Sequence, residues 1–290
     1  MKKILIIPVF LFVNSLFAQL PDVDIYLTSL IKMKDGNYQL GDHSNIINRK
    51  GYDNQPAFSP DGRFIYFSSI RDNVQSDIYV YNLLDQSHQQ ITNTIESEYS
   101  PVFTRDGKSF TVVRVEKDSI QRMWLFNKDG SNAKVILERI DSIGYYCRID
   151  KKRFVLWFIT EPPTLALTDT KSQELTSIDK NIGRCIKNIP GEKAFSYLVK
   201  DSESEWTIKR YDLKNKTSGI ICKIPSTSED YIWTNEKKII MGRQNQFWMY
   251  NYKTTNDWKM IGEISSLKGK NIYRLALAPD GINLAFVADE

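Results

Sequence analysis

The stretch that decides the fold is NQPAFSPDGRFIYF, residues 54–67. Apolar residues alternate on both sides of Asp61-Gly62, and an Asp-Gly pair supplies the positive φ angles that a tight hairpin requires. The stretch returns as YSPVFTRDGKSFTV at 99–112 and as YRLALAPDGINLAF at 273–286. The chain therefore repeats a β-hairpin, and this repeat organises the sequence.

Weaker copies of the hairpin lie between the strong ones, and their turns fall at residues 150, 190 and 235. From Asp61 to Asp280, successive turns are 45, 44, 40, 45 and 45 residues apart. A third strand follows each hairpin except the last, as in DIYVY at 77–81, and a polar turn then leads to an outer strand. A period in the forties with four strands per repeat is typical of β-propeller blades.

The two ends of the chain each carry half a blade. The last hairpin, 272–288, supplies only two strands, whereas DIYLT at 24–28 resembles a third strand and 38–40 a fourth. Pairing the two halves closes the ring and removes the exposed sheet edges. The sequence therefore predicts an all-β fold: a six-bladed β-propeller with four-stranded antiparallel blades, the last closed by the N- and C-terminal strands.

The first residues have the pattern of a secretory signal peptide. MKK at 1–3 precedes a short apolar run that ends at Ala18, which predicts cleavage after Ala18. We expect a signal peptide at 1–18 and a single β-propeller domain at 19–290. No Cys follows the apolar run, so no lipid anchor is expected, and the mature chain has no stretch typical of a transmembrane segment. These features predict a periplasmic or secreted protein.

The strongest hairpins also resemble a known family. PAFSPDGRFI at 56–65 is similar to the repeat of the TolB-like six-bladed β-propellers, a WD-like periplasmic family. The resemblance is strong in blades one, two and six, weaker in the middle three, and covers nearly all of the mature chain. It implies the propeller fold and a place among proteins of the bacterial periplasm.

Charge and cysteine content exclude several function classes. The chain has 39 Lys+Arg against 35 Asp+Glu, a formal charge of +4, so no basic nucleic-acid-binding stripe is predicted. The three cysteines, Cys147, Cys185 and Cys222, leave at least one free thiol and form no C-x-x-C pair. We expect them to be small buried hydrophobes.

The sequence shows no catalytic constellation. His43 and His88 are the only histidines, and neither falls at a position that the repeat places near the central channel. No G-x-S-x-G, P-loop or dinucleotide motif occurs. The Asp-Gly acids belong to separate turns, so turn geometry explains them without a metal. We therefore expect no catalytic residues, no metal and no cofactor.

Geometry supplies the remaining candidates. In a propeller, the starts of the innermost strands and the loops between second and third strands form one rim around the channel mouth, and loops on rigid scaffolds often bind ligands. The rim candidates are Tyr52, Asp53, Arg71, Glu98, Tyr99, Tyr145, Arg184, Asp230, Tyr231, Tyr273 and Arg274.

Because Tyr and Arg are common in binding hot spots, this set favours a non-catalytic binding or scaffold protein. Its partner would be a protein or peptide, including members of an envelope complex. The alternative is a propeller enzyme of the lyase or glycoside hydrolase type, acting on a carbohydrate or small metabolite in the channel.

Overall fold

The computed structural model describes residues 21–71, 75–225, 228–254 and 257–289, so the predicted signal peptide lies outside the described residues. The first strands in chain order are β1 (Val23–Lys32), β2 (Tyr38–Asn45), β3 (Tyr52–Phe58), β4 (Phe64–Arg71), β5 (Gln75–Asn82), β6 (His88–Gln90), β7 (Ser97–Phe103), β8 (Ser109–Val115), β9 (Gln121–Asn127), β10 (Lys134–Val135), β11 (Ile143–Arg148) and β12 (Arg153–Phe158). They are followed by β13 (Thr164–Asp169), β14 (Thr176–Lys180), β15 (Ile182–Asn188), β16 (Ala194–Lys200), β17 (Trp206–Asp212), β18 (Thr217–Lys223), β19 (Tyr231–Trp233), β20 (Lys238–Arg243), β21 (Gln246–Asn251), β22 (Trp258–Glu263), β23 (Ile272–Leu277) and β24 (Asn283–Asp289).

Strand pairing groups these strands into antiparallel units of four. Four units, β7–β10, β11–β14, β15–β18 and β19–β22, are separate sheets. The other two, β3–β6 and β23-β24-β1-β2, share an eight-stranded sheet, joined by a single parallel pair between Val23 and Tyr52. Each unit has the strand order of a propeller blade, and we number the blades one to six, starting with β3–β6.

The sixth blade joins the two ends of the described chain. Strand β1 pairs antiparallel with β24, with Ile25 opposite Val287 and Tyr26 opposite Phe286. Strand β2 then pairs with the other edge of β1 as the outermost strand. This arrangement confirms the predicted closure of the last blade by N- and C-terminal strands.

The core lies between blades. In the described ranges, the buried apolar side chains form six clusters, and each cluster joins two neighbouring blades. Ile78 of blade one packs with Phe110 of blade two, and Ile25 of blade six packs with Phe67 of blade one. Because the clusters continue from blade six to blade one, the ring is closed by packing as well as by hydrogen bonds.

The three cysteines belong to this core. Cys147, Cys185 and Cys222 are free and buried, which confirms the prediction made from their number and spacing. Burial raises the pKa of the Cys147 and Cys222 thiols to about 12. They therefore stay protonated at neutral pH and behave as small apolar side chains.

Hydrogen bonds between neighbouring innermost strands recur at the repeat period. The Ser100 amide donates to Oε1 of Gln55 at 2.8 Å, and the Leu275 amide donates to Oδ2 of Asp230 at 2.8 Å. Each bond spans 45 residues. These bonds fix the innermost strands around the channel. Within the described ranges, no helix has the length and apolar character of a membrane span.

Candidate binding site at the channel mouth

The innermost strands of the blades surround a central channel. At the end where these strands begin, the channel opens into a mouth cavity of about 780 Å³. It narrows to a neck of about 110 Å³ that shares Tyr145, Arg184 and Arg274 with the mouth. Beyond the neck, a third cavity of about 330 Å³ lies near the ends of the innermost strands. The mouth is thus the wide opening, and the neck lies directly beneath it.

Bulges in the innermost strands direct side chains into the channel. Register shifts occur in the pairing of β3, β7, β11, β15 and β23 with their neighbours. Gln55 and Ser100 lie at two of these shifts and both have a φ of 57°. A bulge interrupts the strict alternation of a strand and re-aims the next side chains. Left-handed backbone at a non-glycine residue is costly, and it is enriched at functional sites.

Arg274 is, with Arg243, one of two arginines lining the mouth that form no ion pair among the described residues. Its guanidinium stacks over the Tyr145 ring, 4.9 Å from the centroid. Among the described residues, no carboxylate lies within 4.0 Å of its guanidinium and no acceptor receives a hydrogen bond from it. An arginine has five N–H donors and a permanent charge. The channel therefore contains a cation that contacts an aromatic face and lines both the mouth and the neck, where a ligand can reach it.

Two carboxylates of the site are already engaged. Asp230, 4% exposed, accepts the Leu275 amide and lies 3.7 Å from Nζ of Lys187. Glu229 pairs with Nε of Arg184 at 3.2 Å and with Lys200. Burial alone would raise the pKa of Glu229, but these cations hold it below its ordinary value. Both acids are therefore committed to local structure, and neither neutralises Arg274 by direct contact.

Tyrosine hydroxyls complete the mouth. Tyr52 and Tyr145 line the cavity, and within the described part of the chain neither hydroxyl has a hydrogen-bond partner. Burial, reinforced by the neighbouring Tyr145, raises the pKa of Tyr52 above its ordinary value. Tyr52 is thus a protonated hydroxyl that can donate to a ligand, and the Tyr145 hydroxyl is a further hydrogen-bonding group beside the Arg274 guanidinium.

The structure brings together six of the eleven rim candidates. Those that line the mouth or neck are Tyr52, Tyr145, Arg184, Asp230, Tyr273 and Arg274. Tyr273 is 41% exposed, and its hydroxyl donates to Oδ1 of Asp289 at 2.6 Å. Tyr99 does not line these cavities. Burial raises the pKa of its hydroxyl, and the nearby Tyr145 adds to this increase.

The other four candidates point away from the cavity. Asp53 is buried and pairs with Arg49 at 2.6 Å, and Glu98 is buried against Arg114 at 2.9 Å. The Tyr231 hydroxyl donates to Ser196 inside the blade interface. Arg71 stacks on the Tyr79 ring, 4.2 Å from the centroid. Adjacent strand residues point to opposite faces, so a pair such as Tyr52-Asp53 sends only one member to the channel.

Some lining residues were missed by sequence reasoning. Asn54, Gln55, Ser100 and Lys187 line the mouth or neck. Lys187 gave a usable signal, since it is a second cation, three residues after the rim candidate Arg184, in the innermost strand β15. The other three are small or neutral polar residues, whose direction depends on bulges that the sequence does not reveal.

The histidines lie away from the channel. His43 is in the outer strand β2, where Nε2 lies 2.9 Å from Oγ of Ser266, and His88 is in the outer strand β6. The described residues include no group of three or more His, Cys, Asp or Glu side chains placed to hold a metal ion.

Solved structures share this architecture. The structure of putative TolB from Agrobacterium tumefaciens superposes with a TM-score of 0.70 at 12% identity, covering 93% of this chain and 99% of that chain. TolB from Acinetobacter baumannii gives 0.58 at 13% identity, covering 91% of this chain and 64% of that chain. The chain has the TolB-like β-propeller fold. The sequence matches no protein-family model and no curated protein.

The same TolB-like fold also occurs in enzymes. An oligogalacturonate lyase in complex with manganese superposes with a TM-score of 0.55 at 10% identity, covering 88% of this chain and 84% of that chain. Similarity at this level concerns the fold, and the side chains of the site must decide the function.

Proposed function

We propose that this protein is an exported, non-catalytic binding or scaffold protein that engages a protein or peptide partner at its channel mouth. The observation that carries the proposal is the mouth cavity of about 780 Å³, walled by tyrosine and arginine side chains. These residue types combine apolar contact area with hydrogen-bond donors and dominate binding hot spots. A rigid ring of bulged strands presents them, so little ordering is required when a partner binds.

Partner capture by matched variants tests this role. The mouth variant combines Arg184→Ala with Tyr273→Ala, two exposed residues of the cavity wall. The control combines Lys151→Ala with Lys152→Ala, which lie in an exposed turn at the opposite end of the channel. Tagged wild type and both variants are used to capture proteins from the native cell envelope, and each captured protein is purified and its affinity is measured.

Loss of a purified partner's affinity by at least about tenfold in the mouth variant alone is the expected result, since truncating even one hot-spot residue costs about 2 kcal/mol or more. Equal affinity in all three proteins would place the binding surface elsewhere. Melting curves of the variants, overlapping that of wild type, exclude unfolding as the cause.

The periplasmic or secreted location is part of this proposal. The signal-like segment at 1–18 and the TolB-like fold support it. Fractionation of the native cells, with N-terminal sequencing of the mature protein, checks it. A protein that retains Met1 and remains in the cytoplasm would contradict it.

A carbohydrate-active enzyme is the second candidate, favoured by the fold shared with the oligogalacturonate lyase. Glu229 and Asp230 would be the acids nearest to a sugar bound in the channel, although both are engaged by cations. Incubation with polygalacturonate and other acidic polysaccharides, with chromatography of the products, checks this reaction class. Cleavage that is lost on replacing Asp230 with Asn would establish an enzyme and refute the non-catalytic role.

A further inference from the structure

We infer that the channel mouth recognises a carboxylate, and that an acidic segment of the peptide or protein partner supplies it to Arg274. This inference rests on the proposed function and adds the chemistry of the ligand. It identifies Arg274 as the residue that binds the ligand's charge, and the hydroxyls of Tyr52 and Tyr145 as neighbouring donors.

The balance of charges in the channel favours an anion. The mouth and neck are lined by four cations and two carboxylates, namely Arg184, Lys187, Arg243, Arg274, Glu229 and Asp230. Glu229 and Asp230 already serve Arg184, Lys200, Lys187 and the Leu275 amide. A surplus of positive charge in a narrow opening attracts anions and increases their local concentration.

The geometry favours a carboxylate among anions. The planar guanidinium matches the two oxygens of a carboxylate and binds them through parallel hydrogen bonds. Contact with the Tyr145 ring, whose centroid lies 4.9 Å from the guanidinium carbon, restricts the Arg274 side chain, which lowers the cost of ordering it on binding. The hydroxyls of Tyr52 and Tyr145 line the same cavity and are further hydrogen-bond donors.

The neighbouring aromatic surface favours a peptide. The Tyr145 ring makes an edge contact with Trp157 at 5.5 Å, and Tyr145 lines the mouth cavity. Pro225 adds partly exposed apolar surface to the same cavity, and the buried side chains of Val23 and Ile272 form part of its wall. A peptide with acidic and apolar residues would satisfy both parts of the wall.

Fluorescence anisotropy with three labelled probes of equal length tests the inference. The probes are hexaglutamate, hexaglutamine and a hexamer of galacturonic acid. The proteins are wild type, Arg274→Gln, Arg274→Lys and Tyr145→Phe. Lys152→Gln is the matched control, because it removes the same charge from the exposed turn at the other end of the channel.

We expect wild type to bind hexaglutamate more tightly than hexaglutamine. Arg274→Gln should bind hexaglutamate about tenfold more weakly than wild type, because it removes a charge-assisted hydrogen-bonded pair. Lys152→Gln should bind like wild type. If Arg274→Gln does not fold, Arg274→Lys carries the test, because it keeps the charge but cannot bind two oxygens side by side. It should then bind hexaglutamate more weakly than Lys152→Gln does.

Equal hexaglutamate affinity in wild type, Arg274→Gln and Lys152→Gln would overturn the inference by showing a general attraction to positive charge. Binding of the galacturonic acid hexamer alone, with loss in Arg274→Gln, would overturn the peptide as the source and favour the carbohydrate candidate. Absence of binding to every probe would overturn the carboxylate site, whereas envelope capture that depends on Arg184 and Tyr273 would leave the proposed binding role standing.

Discussion

The two ends of the innermost strands use acidic residues in opposite ways. At the far end, Asp61 accepts hydrogen bonds from Oγ of Ser59 at 2.5 Å and from the Arg63 amide at 3.2 Å. These bonds lower the pKa of Asp61 to about 2. Near the mouth end, burial raises the pKa of Glu98 to about 7.

The comparison shows how position within one repeat determines the role of a polar group. In the turns, neighbouring hydroxyl and amide groups satisfy each carboxylate within a few residues, so the turn is self-contained. Toward the mouth, satisfaction depends on groups from other strands, as for Glu98 and Arg114 of the paired strand β8, or is incomplete among the described residues, as for Arg274. A polar group that its own structure does not satisfy is a candidate for binding a ligand.

The largest expected effect comes from the sixth blade, which closes the ring. Both the mouth and the opposite end of the channel depend on this closure. Ile25 is fully buried against blade one. Ile25→Ala should lower the free energy of unfolding by roughly 2–5 kcal/mol, because it removes buried methyl groups and leaves a cavity. Chemical denaturation measures the change, and binding at the mouth should weaken as the folded fraction falls.

Ile220→Ala is the matched control for this experiment, since Ile220 is 73% exposed on an outer strand. It should change the free energy by no more than about 0.5 kcal/mol. Equal effects of the two substitutions would contradict the role of the β1–β24 pairing in holding the ring.

The fold was predictable in detail because the repeat carries its own evidence. Asp-Gly turns mark the hairpins, and a third-strand pattern at 24–28 without a preceding hairpin revealed how the ring closes. The site was less predictable, for two physical reasons. Strand alternation separates neighbours such as Asp230, which faces the neck, from Tyr231, which faces the core. The bulges at Gln55 and Ser100 redirect side chains, and no local sequence signal identifies them.

A moderate effect is expected from the buried acid near the mouth. The Glu98 carboxylate accepts hydrogen bonds from the Thr92 and Thr94 hydroxyls, lies near Asp77, and pairs with Arg114, which also pairs with Glu96. Because its pKa is raised, the folded state retains a proton that the unfolded state releases. Glu98 therefore stabilises the fold less as the pH rises from about 4.5 to about 7.

Glu98→Gln imitates the protonated form and should not show this loss. The free energy of unfolding of the variant, relative to wild type, should increase by roughly 2 kcal/mol between about pH 5 and pH 8. Denaturation at several pH values measures the difference. A difference that stays constant with pH would show that Glu98 titrates normally in spite of its burial.

The smallest effect is expected at the turns, where the acids are exposed and the hydrogen bonds local. Asp61→Ala removes the acceptor for Ser59 and Arg63, and should lower the free energy of unfolding by about 1 kcal/mol. Its lowered pKa means that this stabilisation is present at neutral pH and is lost as the pH falls through about 2.

Asp106→Ala should behave alike, because Oγ1 of Thr104 donates to Asp106 at 2.6 Å in the corresponding turn. Asp201→Ala, at an exposed position with no recorded hydrogen bond among the described residues, is the control and should change the free energy little. Hexaglutamate affinity of Asp61→Ala and Asp106→Ala should equal that of wild type, since these two turns lie at the opposite end of the channel from Arg274. A change in affinity with Asp61→Ala would mean that the two ends are coupled and that the turns do more than hold the hairpins.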